Sequence, residues 1–288
     1  MLLGSIVLPL MDAAAKTMGE TIGASTIVMA RFVFQSLILL PFVWSSLYLP
    51  RGTELLLHFK RSMGLSVGTL CFFTAIQVMP IADALAIFFV MPLIVTLLAP
   101  WILGETVGWR RIVAVAIGLI GAVIIIQPSQ AVFGWRAILP LGTAIGFSFY
   151  LIYTRKLART GDGGDVPALT MQFWSGTIGA VITAIAIILL QPLEWPVFEV
   201  VWPEVWQWKR LVLVGLLAAI GHLVLTSAFK YADASILAPF QYIELVVAAI
   251  IGWWIFNDIP TLTTFIGTLI LVASGLYIFY RERVVESG

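Results

Sequence analysis

Apolar runs of membrane length, broken by short stretches of charge, proline or glycine, follow one another along the whole chain. A hydrocarbon core takes roughly 20 helical residues to cross, so each such run reads as a transmembrane helix. The runs fall near 2–19, 24–47, 62–79, 82–103, 110–127, 136–156, 167–190, 209–229, 232–256 and 260–280. The pattern therefore predicts ten spans. The connections around Pro80 to Ala82 and Tyr231 to Ala234 are short enough to force adjacent spans into antiparallel hairpins.

The pattern also repeats itself. Phe73–Pro92, FTAIQVMPIADALAIFFVMP, aligns with Leu225–Glu244, LTSAFKYADASILAPFQYIE, at an offset of about 150 with one-residue slips. Val90–Glu105, with Pro92 and Pro100 and an acidic end at Gly104-Glu105, has its counterpart in Pro239–Asp258, which ends at Asn257-Asp258. Matched, proline-interrupted apolar segments mark transporters with duplicated halves. Each half holds five spans, an odd number, so the second copy must sit upside down relative to the first. The expected fold class is an all-α integral membrane protein: ten transmembrane helices as two inverted five-helix repeats, residues 1–128 and 129–288, around a central cavity.

Composition agrees with this pattern. Of 288 residues 61% are hydrophobic and 11% charged, against about 25% charged in soluble domains. Lipid must be the solvent for most of the chain. A net charge of +1 gives no reason to expect nucleic acid. The single cysteine, Cys71, and two histidines, His58 and His222, leave no material for a disulfide framework or a metal cluster. Walker A, HExxH, GxSxG and GxGxxG motifs are absent. No cofactor, metal or catalytic residue is expected, and an ATP motor would have to lie on another chain. The N-terminus has no basic n-region and reads as a retained first span. Placing it in the cytoplasm puts Arg51, Lys60, Arg61, Arg110, Arg111, Arg155, Lys156, Arg159, Lys230, Arg281 and Arg283 inside, against Arg136, Lys209 and Arg210 outside, which fixes both termini inside. The outer connection Pro192–Trp208 carries four tryptophans and reads as an aromatic belt. Gly64-x-x-x-Gly68 and Gly142-x-x-x-Gly146 signal close helix packing.

An ionisable residue at mid-membrane costs about 2.5–3.5 kcal/mol to insert, so it faces the bundle interior. Asp12 and Lys16 lie one turn apart and share a face on which they can pair. Counting helical rise, Lys16 and Arg31 come out roughly 20 Å from the cytoplasmic face, and Asp12 and Glu244 roughly 15–18 Å. Cations above and carboxylates below suit a zwitterionic solute. Glu244 is the candidate proton carrier, and Gln77, Trp101, Tyr150, Gln172, Trp174, Gln241 and Tyr242 are candidate cavity-lining contacts. His222 reads as a hydrogen-bonded core histidine. Pro92 and Pro239 are the candidate hinges; Pro9, Pro100 and Pro140 are further possible kinks.

The MDAAAK run (Met11–Lys16), Ala30-Arg31-Phe32, Gly104-Glu105, Pro239–Glu244, Phe256-Asn-Asp258 and Ser274–Arg283 together resemble the EamA family of the drug/metabolite transporter superfamily. The second half departs from that family in ending on Asn257-Asp258 rather than Gly-Glu, so no substrate role is assigned there. The resemblance implies a secondary transporter of the plasma membrane, moving amino acids or related small metabolites by alternating access, with export as the expected direction. The Asp12–Lys16 and Tyr242–Glu244 segments are similar to the branch with S-adenosylmethionine carriers, which makes uptake of S-adenosylmethionine or riboflavin the alternative. A lipid-linked substrate flippase is the reading from another class. The expected partners are a small solute, the bilayer and a proton as coupling ion, for a monomer or homodimer in the inner membrane.

Overall fold

The computed structural model describes residues 1–104, 107–126, 134–158, 166–231 and 241–286, and among these there is no strand. The helices are α1 (Leu2–Lys16), α2 (Ala24–Val43), α3 (Gly52–Val78), α4 (Ile81–Phe88), α5 (Met91–Leu103) and α6 (Trp109–Ile126), followed by α7 (Ile138–Ala158), α8 (Ala168–Leu190), α9 (Val205–Tyr231), α10 (Ile243–Phe256) and α11 (Leu262–Glu286). Among the described residues, five stretches are long and apolar enough to cross a bilayer unaided: Ala24–Ser46, Ile81–Leu103, Trp109–Ile126, Ala168–Leu193 and Val205–Ala228. Apolar side chains face outward along most helices, as lipid requires; Ile188 is 70% and Phe265 60% exposed.

One expected span is two helices. The 82–103 run divides at Phe89-Val90 into α4 and α5. Pro92 has no N–H to give the carbonyl of Phe88, and its ring crowds that carbonyl, so the ladder cannot pass unbroken. Pro9 and Pro100 sit inside continuous helices, and Pro140 falls in the first turn of α7, where its missing donor costs little. Pro239, together with Glu105 and Asp233, lies outside the described residues. Two helices end on left-handed residues, α5 at Gly104 (φ 72°) and α10 at Asn257 (φ 55°). Glycine and asparagine are the residues that accept this conformation most readily. The Asn257 amide then donates to Trp253 O at 3.1 Å and the Asp258 amide to Gly252 O at 3.0 Å, which folds Asp258 back over the helix end.

Helix limits recur at one spacing. Starts at 52 and 205, ends at 78 and 231, ends at 103 and 256, and starts at 109 and 262 are each 153 residues apart. The packing recurs with the halves exchanged: α3 lies on α7 and α9 on α1, while α2 lies on α9 and α8 on α3. A Cβ on Gly121 would meet Gly267 O at 2.8 Å, and 153 residues away in each direction Ser274 Oγ donates to Ala114 O. Phe89 and Tyr242, also 153 apart, pack on each other with tilted rings, 5.1 Å between ring centres.

Absent side chains set the closest crossings. Gly146 on α7 meets both glycines of the α3 pair: a Cβ on it would stand 2.6 Å from Gly64 O and 2.7 Å from Gly68 N. Both obstacles are backbone, which cannot swing aside. Gly146→Leu is therefore expected to drive α3 off α7 and to cost at least about 1–3 kcal/mol. The neighbouring Ile145→Leu, on a residue 47% exposed to lipid, should be silent. Melting of the two variants in detergent checks this, with G146L alone shifted down or unfolded.

Candidate functional site

Between the halves lies a narrow cavity lined by Leu8, Met11, Asp12, Arg31, Thr69, Phe72, Phe73, Leu85, Phe88, Thr143, Phe147, His222 and Glu244. These come from α1, α2, α3, α4, α7, α9 and α10. The space open to a water centre is ≈ 40 Å³, room for a few waters. Its wall is mostly aromatic and aliphatic, and its charged groups are one cation and two carboxylates.

Arg31 is the anomaly of the site. Its side chain is fully buried, stacks over Phe32 at 4.5 Å, and its Nε, Nη1 and Nη2 find no hydrogen-bond partner. A buried guanidinium without acceptors forfeits much of its solvation. Asp12, itself 3% exposed, lies within Coulombic range of both Arg31 and Glu244, yet forms no bonded ion pair with either among the described contacts. His222 completes the ring, with its Nδ1 unpartnered.

Arg61 shows what a satisfied buried arginine looks like in the same protein. Its Nε donates to Thr154 Oγ1 at 2.7 Å, Nη1 to Met171 O at 2.7 Å and to Ser175 Oγ, and Nη2 to Tyr150 Oη at 3.0 Å. Gln172 Nε2 joins the network through Tyr150 Oη at 3.0 Å and Thr226 Oγ1 at 2.6 Å. This layer ties α3, α7, α8 and α9 together on one side of the cavity. The charge pattern assigned Arg61 to the cytoplasmic surface; it is instead buried in the bundle.

Lys16 is placed differently from the expected local pair with Asp12. Its Nζ donates to Asp258 Oδ2 at 2.7 Å and Met79 O at 3.1 Å and lies 4.9 Å from the Phe256 ring centre. Asp83 stands within Coulombic range of both Lys16 and Asp258. The cause is the left-handed turn at Asn257, which swings Asp258 over the end of α1. A second charged layer thus lies about one helical turn along α1 from Asp12.

Of the sequence candidates, Asp12, Arg31 and Glu244 meet in the cavity. Lys16, Tyr150 and Gln172 stand in the flanking layers. Gln77, Trp174, Gln241 and Tyr242 are outside the lining: Gln77 lies beside Gly19, Trp174 packs on Phe173 at 5.4 Å, and the Tyr242 hydroxyl is wedged against Gly275. Trp101 is 89% exposed on the outer surface of α5, so it is corrected from stacking residue to lipid-facing residue. His222, expected to be a bonded core histidine, faces the cavity with its Nδ1 free of partners. Thr69, Thr143, Phe72, Phe88 and Phe147 were missed; nothing in an apolar run separates the residues on its inner face from its neighbours.

Charges held at membrane depth, facing a hollow instead of bonding one another, define a carrier of small solutes through the bilayer. The chain belongs to the EamA-like transporter family, within the drug/metabolite transporter superfamily; the family profile matches residues 1–127 and 134–280. It is similar to the S-adenosylmethionine uptake transporter of Rickettsia bellii, 28% identical over 96% of this chain and 90% of that one. The riboflavin transporter of Rhizobium johnstonii is 28% identical over 78% of this chain and 70% of its own length. The pseudopaline exporter CntI of Pseudomonas aeruginosa is 28% identical over 94% and 92%. A solved crystal structure, 18% identical, covers 96% of both chains with a TM-score of 0.63 and shares the fold. The family and these relatives are transporters, not enzymes, and the chain is a multi-pass membrane protein.

The two buried arginines generate opposite expectations. Arg31→Met removes an unsatisfied charge and should leave the melting temperature unchanged or raised while transport is lost. Arg61→Met removes the four hydrogen bonds that tie α3 to α7 and α8 and should cost at least about 2 kcal/mol. Parallel melting and uptake measurements on the two variants check the contrast.

Proposed function

We propose that the protein is a secondary transporter that carries an amino-acid-bearing small metabolite through this cavity by alternating access. The observation that carries the reading is the unpartnered Arg31 guanidinium in one cavity with Asp12 and Glu244. Arg31 offers a planar donor set suited to a carboxylate, and the two acidic groups offer acceptors to an ammonium. With one cation and two carboxylates, the ionised cavity carries a surplus negative charge between apolar walls, which is costly unless compensated. A solute with net positive charge removes the surplus, and so does a proton. S-adenosylmethionine has an α-amino carboxylate, a sulfonium and hence one net positive charge, so its chemistry fits this balance; riboflavin, with no carboxylate, leaves Arg31 unanswered. Neutral amino acids fit with one proton taken up, and Glu244 is the group we assign to carry it.

The alternating-access part rests on an inverted duplication, residues 1–128 and 129–288, each of five spans. It is supported by the 153-residue spacing of helix limits and by contacts that recur with the halves exchanged. In this arrangement the Lys16–Asp258 layer is the outer closure and the Arg61 layer the inner one, for a chain with both termini in the cytoplasm of a bacterial inner membrane. The relatives work in both directions, one in uptake and one in export. Export, the expectation from sequence, is read from the same vesicles by loading either side.

Two measurements test this. In proteoliposomes, counterflow of labelled S-adenosylmethionine, methionine and riboflavin should show saturable exchange of the amino-acid-bearing solutes, and Arg31→Gln should abolish it. Glu244→Gln should remove the pH dependence of amino-acid exchange. Riboflavin exchange untouched by R31Q would overturn the assignment of Arg31. For the outer closure, Lys16→Asp and Asp258→Lys should each lower transport about tenfold or more, and the double exchange should restore it to within a few-fold, since the pair survives reversal.

A further inference from the structure

On the outside of the bundle, where α3 crosses α7, a second hollow of ≈ 430 Å³ opens to the surrounding lipid. Along its apolar length it is walled by Met63, Val67, Ile145 and Phe149, with Lys60 and Tyr153 at one end. Met63, Val67 and Ile145 are 38%, 45% and 47% exposed, so the groove faces away from the transport cavity. Lys60 is exposed and has no carboxylate within ion-pair distance among the described residues; its Nζ lies 5.6 Å from the Tyr153 ring centre. The groove is therefore cationic at one end and apolar along the rest.

Its length identifies the occupant. From Tyr153 to Gly142 on α7 the groove runs roughly 16 Å, about half of the ~30 Å hydrocarbon core. That is one leaflet deep. A helix of a second copy crossing here would need contact surface through the full core, whereas a phospholipid chain needs a slot of this depth with its headgroup at the charged end. A lysine beside a tyrosine at headgroup level is also what a headgroup phosphate finds favourable.

We propose that this groove is a binding site for a phospholipid with an anionic headgroup, its phosphate and headgroup charge held at Lys60 and Tyr153 and one acyl chain laid between α3 and α7. The site matters to the carrier because its walls are the backs of cavity-lining helices: Val67 is two residues from Thr69, and Ile145 is two residues from both Thr143 and Phe147. A bound lipid presses the α3–α7 crossing together from outside. The inference does not depend on which solute is carried.

The test is native mass spectrometry of the intact protein titrated with phosphatidylglycerol or phosphatidylcholine of the same chains, with melting followed in parallel. Wild type should retain one phosphatidylglycerol in preference to phosphatidylcholine and melt higher with it. Lys60→Gln should lower that preference about fivefold, and Lys60→Glu roughly thirtyfold, as loss and reversal of one charge near a headgroup predict. Val67→Trp, which fills the slot without touching the glycine crossing, should lower retention of both lipids. Equal binding of the two lipids to wild type, or K60E binding phosphatidylglycerol as wild type does, would overturn the proposal. So would a dimer that V67W dissociates, since the groove would then belong to a second copy.

Discussion

Charge held out of water with too few partners is the constraint around which this molecule is arranged. Most of the described chain has a low-energy reason to be where it is: apolar faces meet lipid or each other, and backbone groups are bonded within helices. Arg31 does not. Its guanidinium is buried against Phe32 without a hydrogen bond, and Asp12 and Glu244 share its cavity without closing on it. A protein can keep such a group only where the rest of the fold over-determines its position.

That over-determination comes from two polar layers and from glycine. On one side Arg61 spends its donors on Thr154, Met171, Ser175 and Tyr150. On the other Lys16 reaches Asp258 and the carbonyl of Met79. Between them the helices approach closely because Gly64, Gly146, Gly121 and Gly267 leave no Cβ in the way. The contrast between the two arginines is the clearest functional signal in the structure. One residue type at similar burial straps helices together where acceptors surround it, and stands unbonded in the cavity where none reach it.

The closing layers also differ in kind. The Arg61 network is made of neutral acceptors and many bonds, while the Lys16 layer turns on one ion pair at the rim, with side chains 15% and 26% exposed. Water at that rim screens the pair and lowers the cost of separating it. The more exposed layer is thus the weaker of the two tethers. The left-handed turn at Asn257, which the first half makes at Gly104, is what brings Asp258 into that layer.

The sequence by itself placed the chain in lipid and turned Asp12, Arg31 and Glu244 inward, and it raised the expectation of two corresponding halves. Hydropathy runs and the insertion cost of a charge are local properties, readable one segment at a time. It also showed Gly64, Gly68 and Gly146, which meet where α3 crosses α7. Only the tertiary structure decided who bonds whom. Lys16 left its neighbour Asp12 for a residue 242 positions away, and Arg61, read as a surface charge, went to the core. His222 turned to the cavity and Trp101 to the lipid. Those outcomes depend on which face of a uniformly apolar helix points inward and on how one left-handed turn aims the next side chain, and neither is encoded in the hydropathy of the segment that contains it.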